Sequence, residues 1–174
     1  MQKEATMSSD LHVSGIASLV ATLADSSGSV RQKARAALVE IGHPAVPALI
    51  AALRSQDAQV RWEAAKGLHD VADPLSAEAL VAALEDKSFD VRWLAAESLA
   101  LIGRKALEPL FAALADHGDA VWLREGAHHV LKVAARRGLA ETVGPVLAAL
   151  EDVEPELVMP PAAKAALKSL RALA

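Results

Sequence analysis

The chain of 174 residues has no cysteine, and aromatic residues make up only 3% of it. The first absence excludes a disulfide framework, a thiolate metal site and a thiol nucleophile, and it fits a reducing compartment. The second leaves Ala, Leu and Val as the apolar mass of a sequence that is 53% hydrophobic. Side chains this small form a core through close approach of helices, not through a sandwich of bulky strands. Basic charge is also scarce: the formal net charge is −4. Non-specific nucleic-acid affinity comes from clustered Lys and Arg, so a basic groove for nucleic acid is not expected. No stretch approaches the roughly 18 consecutive apolar residues that a membrane span requires. The opening MQKEATMSSDLHVSG is polar, with Glu4 and Asp10 where a secretory leader needs a basic patch and then an apolar run. Residues 1–13 therefore read as a flexible tail, and the protein as soluble and cytoplasmic.

What the sequence does contain is repetition. An apolar residue, Ala, a small residue and Leu recur as Val20-Ala21-Thr22-Leu23, Ile50-Ala51-Ala52-Leu53, Val81-Ala82-Ala83-Leu84, Phe111-Ala112-Ala113-Leu114 and Leu147-Ala148-Ala149-Leu150. The closing leucines are 30, 31, 30 and 36 residues apart. A second pattern begins with an apolar residue and Arg, with Ala four places and Leu eight places after the first. It occurs at Val30-Arg31/Ala34/Leu38, Val60-Arg61/Ala64/Leu68, Val91-Arg92/Ala95/Leu99 and Leu123-Arg124/Ala127/Leu131. Offsets of four and eight share one helical face, and Ile41, Val71 and Ile102 extend it. Short polar segments between the two patterns make each unit a helix, a turn and a helix. Gly42, Gly103 and Gly138 stand where a left-handed residue ends the second helix, and Pro44 and Pro74 stand where a first helix begins. Such pairs cannot bury their apolar faces alone, so they stack, with first helices on one side and second helices on the other.

The runs VRWEAAKGLHDVAD, VRWLAAESLALIG and LALIGRKALEPLFAAL resemble HEAT repeats, in particular those of phycobilisome-lyase-like proteins, over about residues 15–137. The resemblance implies an all-α fold, a right-handed α-α superhelix of about five helix pairs. The expected pairs cover about residues 14–42, 43–73, 74–103, 104–138 and 139–174, in one domain. The fifth departs from the pattern: Pro160-Pro161 is expected to interrupt it, leaving a capping helix over 162–173 without a Val-Arg pair. Lys164, Lys168 and Arg171 there fall on one polar face.

The repeated arginines 31, 61, 92 and 124 invite a reading as a phosphate ladder. The structural reading is stronger, because a guanidinium pairs readily with carboxylates, and Asp25, Asp86 and Asp116 recur two residues after the closing leucines. HEAT-type deoxyhypusine hydroxylases, which the repeat resembles, carry a His-Glu pair directly after Val-Arg. Those slots here hold Gln32-Lys33, Trp62-Glu63, Trp93-Leu94 and Glu125-Gly126, which implies no iron site. Among the histidines, His12, His43 and His117 fall in the tail or turns, and His128 and His129 diverge around a helix. That leaves His69 and His129, too few for a metal centre without carboxylates. No Gly-rich phosphate loop or strand-turn-helix nucleophile motif occurs, and the basic groove of HEAT-like alkylpurine glycosylases is missing. The chain reads as no enzyme, with no catalytic residue, no metal and no cofactor.

Binding remains. The resemblance places the second helices on a concave surface, where the second, third and sixth positions after the apolar residue of each Val-Arg pair are expected to look outward. The candidate partner-binding residues are Trp62, Glu63, Lys66, Trp93, Leu94, Glu97, Glu125 and His129. Trp62 and Trp93 hold the same place in adjacent repeats and are expected roughly 8 to 10 Å apart. Trp122, one residue before Leu123, is expected to fill space between repeats. The sequence thus reads as a protein-binding scaffold, a monomer when alone, that takes a protein or peptide in its groove. The alternative is an accessory subunit of a bilin lyase or similar modification enzyme. Metal analysis of protein purified without chelator is expected to find no stoichiometric iron or zinc; a stoichiometric metal would overturn the reading of the empty His-Glu slots.

Overall fold

The computed structural model describes residues 15–172, and the tail expected over residues 1–13 lies outside them. Ten α-helices occur among the described residues, and no strand. They are α1 (15–22), α2 (Gly28–Ile41), α3 (Val46–Ala52), α4 (Ala58–Val71) and α5 (Ala77–Ala83), followed by α6 (Phe89–Ile102), α7 (Leu107–Asp116), α8 (Val121–Ala134), α9 (Ala140–Leu150) and α10 (Pro155–Ala172). Short 3-10 turns lead into α3, α5 and α7, two of them carrying the expected Pro44 and Pro74. The fold is all-α, built of consecutive helix pairs. The chain divides into two compact units, one ending at Asp73 with α1 to α4 and one starting at Pro74 with α5 to α10.

In the first unit α4 packs on α2 and α3; in the second α6 packs on α5 and α8, and α5 on α7. The buried stripe runs through the expected offsets. Ala34, Ala64, Ala95 and Ala127 are almost or fully inaccessible, as are Leu38, Leu68, Leu99 and Leu131. At about 100° per residue, offsets of zero, four and eight span only about 80° of a helix, so all three enter the same contact. Four of the closing leucines of the first pattern, Leu23, Leu53, Leu84 and Leu114, are buried from the other side.

Each repeated arginine binds the turn that precedes its helix. Arg31 Nη1 donates to the carbonyls of Asp25 (2.7 Å) and Ser26 (3.1 Å). Arg61 does the same to Ser55 (2.9 Å) and Gln56 (3.1 Å), Arg92 to Asp86 (2.8 Å), and Arg124 to Gly118 (2.7 Å). The structural reading of these arginines therefore stands, but in the turns the acceptors are backbone carbonyls where the aspartates were expected; Arg31 also reaches a carboxylate, that of Glu63. These are last-turn and loop carbonyls that no helix satisfies, so a charged donor is worth most there. The aspartates serve the next step of the turn: Asp25 accepts from the Ser27 amide (2.7 Å), Asp86 from the Ser88 amide (2.8 Å) and Asp57 from the Gln59 amide at the start of α4 (2.8 Å). Gly42, Gly103 and Gly138 all have positive φ (70°, 71° and 92°), as their place after second helices predicts. The second repeat has no glycine there, and Ala72 takes the left-handed conformation at φ 52° instead.

The last pair departs from the expected pattern in two ways. Pro160 and Pro161 do not interrupt it; α10 runs unbroken through both. The prolines remove the donors for the carbonyls of Glu156 and Leu157, and both of those residues are exposed, so the vacated bonds are not lost to a dry core. Pro160 also docks on the turn before α8, where a Cβ on Gly118 would come within 2.4 Å of its ring. The second departure is in the packing. After a kink at Arg137 and Gly138, α9 lies on α8 and α10 lies on α7. First and second helices have exchanged partners, which is why Leu150 is only half-buried where the earlier closing leucines are buried. Arg137 fixes the kink by donating to the Ala100 carbonyl (2.8 Å), one of the unsatisfied carbonyls at the end of α6.

Ala64→Leu and Ala95→Leu are each expected to cost about 1 to 3 kcal/mol or more through overpacking, read as a lowered melting temperature. Ala72→Gly is expected to act in the opposite direction, raising stability by up to about 1 kcal/mol, since a left-handed residue with a Cβ is strained and glycine is not. A fall in the denaturation midpoint for Ala72→Gly would show that the conformation carries no such strain.

Candidate functional site

The stripe of a second helix is centred near offset four. Offsets two and six then lie about 160° from its centre and offset three only about 95°, on the flank. The candidate residues separate along this line. On α6, Trp93 at offset two is 49% exposed. Glu97 at offset six is 36% exposed and His129, its counterpart on α8, 31%. The indole of Trp93 and the imidazole of His129 are 5.2 Å apart between centroids, tilted by 50°. His129 Nε2 lies 2.8 Å from Glu97 Oε1 but out of line for a hydrogen bond. Glu125, at offset two of α8, is exposed. The second unit thus gathers Trp93, Glu97 and His129 into one small patch with an aromatic centre and a polar edge.

Offset three behaves differently. Glu63 was expected to look outward and is instead 3% exposed. It accepts from Arg31 Nε (3.1 Å) and Gln59 Nε2 (3.2 Å) and is paired with Arg35. A carboxylate on the flank of the stripe meets the preceding repeat, and there it is stable because two guanidiniums and an amide replace its water. The same flank position is half-buried as Leu94 and empty as Gly126, where a Cβ would come within 2.6 Å of Leu84. Trp62 is half-buried, with the Arg35 guanidinium 5.5 Å from its ring centroid, and Lys66 pairs with Asp70 one turn along α4. Trp62 belongs to the first unit and Trp93 to the second.

Sequence reasoning missed a second aromatic group. Phe89 is 65% exposed and Trp122, expected between repeats, is 42% exposed. Arg92 stands near both, 4.3 Å from the Trp122 ring and 5.7 Å from the Phe89 ring. The signal was available: residues one or two before the first apolar position fall more than about 120° from the stripe's centre, facing away from the core.

His128, with Lys132, lies 3.0 Å from Glu151 at the start of the α9–α10 turn and holds its carboxyl below the ordinary carboxylate range. The pairing ties the end of α9 to α8. Among the described residues, no group of three or more His, Cys, Asp or Glu side chains is arranged to hold a metal ion, and no helix is long and apolar enough to cross a membrane.

Residues 16–100 match the family model for HEAT repeats. No curated protein matches the chain. Solved structures that do match include a designed armadillo repeat protein, 18% identical, aligned over 88% of this chain and 98% of that one with a TM-score of 0.37. The family match spans three of the four arginine-carbonyl turns and three of the four Ala and Leu stripes: from α1 into α6 the chain is similar to HEAT repeats.

Proposed function

We propose that the protein is a binding scaffold, not an enzyme, and that it holds a polypeptide partner on the second-helix face of its second unit. The observation that carries this reading is Trp93, half exposed on α6 with its ring 5.2 Å from that of His129 on α8. A tryptophan left in water lowers solubility, and the same ring is among the most effective anchors for a partner. Glu97, His129 and Glu125 supply a polar rim around it, and half-buried Leu94 an apolar floor. In the first unit, Glu63 holds Arg31 and Arg35, and Arg35 in turn covers Trp62, so these residues support the repeat more than they meet a partner. The cytoplasm, where HEAT scaffolds and thiol-free chains are both at home, is the proposed location.

The test is capture of a partner from the native host by wild type and by Trp93→Ala, followed by mass spectrometry. The substitution is expected to weaken the specific partner by about 2 kcal/mol or more while leaving the melting temperature nearly unchanged. Equal retention of that partner by both proteins would place the binding surface elsewhere. A bilin co-purifying with the chain would favour the accessory-lyase reading instead.

A further inference from the structure

A second recess lies on the first helices of the second unit. It is a cleft of about 690 Å³ between α5 and α7, within the size range of ligand and peptide pockets. Val81 and Leu123, with alanines 82, 112 and 113, give it an apolar floor. Its rim carries four carboxylates, Glu78 and Glu85 from the α5 side and Glu108 and Asp116 from α7, against the two cations Lys105 and Arg171.

One of those cations shows what the rim accepts. Arg171, on the last turn of α10, reaches Glu108 with Nε 2.8 Å from Oε1. The two side chains are 61% and 53% exposed, so the pair is weak and open to exchange. Glu78 on α5 and Glu85 in the turn after it are seven residues apart, and Glu108 and Asp116, both on α7, are eight apart, about 12 Å along the helix. That spacing is too wide for one metal ion. It matches basic residues three or four apart on an extended peptide, which rises about 3.3 Å per residue.

We propose that the α5–α7 cleft binds a basic segment of a partner protein, an extended peptide with Arg or Lys every three or four residues and small apolar side chains between them. Arg171 holds one position of the site until the partner's own guanidinium replaces it on Glu108. The surface shares no residue with the Trp93 patch, so each can fail without the other.

The test uses the full chain and two labelled ten-residue peptides, one with Arg at every third position and Ala or Leu between, the other with Glu in place of Arg. Fluorescence anisotropy is expected to show binding of the Arg peptide alone, weakening as salt is added. The double variant Glu85→Gln/Asp116→Asn, at exposed positions, is expected to bind at least tenfold more weakly with an unchanged circular dichroism spectrum. Arg171→Ala is expected to bind several-fold more tightly, because Glu108 is then free, and Trp93→Ala to bind as wild type does. The proposal is overturned if the Arg peptide fails to bind or the Glu peptide binds equally. It is also overturned if the carboxylate variant keeps full affinity, if Arg171→Ala gains none, or if Trp93→Ala loses binding.

Discussion

Ala34, Ala64, Ala95 and Ala127, with almost no accessible surface, set how closely the second helices can approach their neighbours. A methyl group at the centre of a helix contact lets the backbones come near each other, so van der Waals contact between main chains replaces contact between large side chains. Everything else in the repeat serves that approach. The leucines four residues on close the contact, the short turns return the chain at once, and the arginines lock each turn to the helix that follows it. A pair standing alone would leave this narrow apolar stripe in water, so each pair gains its stability from the next. The outward residues carry none of that burden and are free to differ, which is why aromatic, acidic and basic side chains alternate there.

The final pair shows how the stacking rule is broken. Gly138, at φ 92°, permits a bend that a residue with a Cβ would resist, and the chain enters α9 on the wrong side of the expected plan. From there α10 has to return along α7, bringing Pro160 onto Gly118 and Arg171 onto Glu108. The cation of the acidic cleft, Arg171, therefore depends on the exchange of partners in this pair.

The helix pairs were legible because their signal is a repeated spacing of small and large apolar residues, and spacing is what a helix converts into a face. The glycines at 42, 103 and 138 were legible for a similar reason, since position after a helix calls for positive φ. The site was only partly legible. Offsets two, three and six were read as one outward face, although the third lies on the flank; Glu63 and Gly126 are the result. The arginine acceptors were missed because an unsatisfied carbonyl leaves no mark in a sequence, whereas an aspartate does. Pro160-Pro161 misled for the opposite reason: two strong helix breakers are tolerated where the carbonyls they strand face solvent. The Arg171–Glu108 pair spans 63 residues and depends on a packing inversion that no local pattern encodes.

The three tryptophans each stand beside a different nitrogen base: Trp62 beneath Arg35, Trp93 against His129 and Trp122 beneath Arg92. Trp62 is also the only one of them before Asp73, while the other two follow Pro74. Nature has thereby labelled the chain with optical probes in separate surroundings. Replacing two indoles at a time by phenylalanine leaves an emission spectrum that watches one compact unit by itself, so the order in which the two units melt can be followed without attaching any dye.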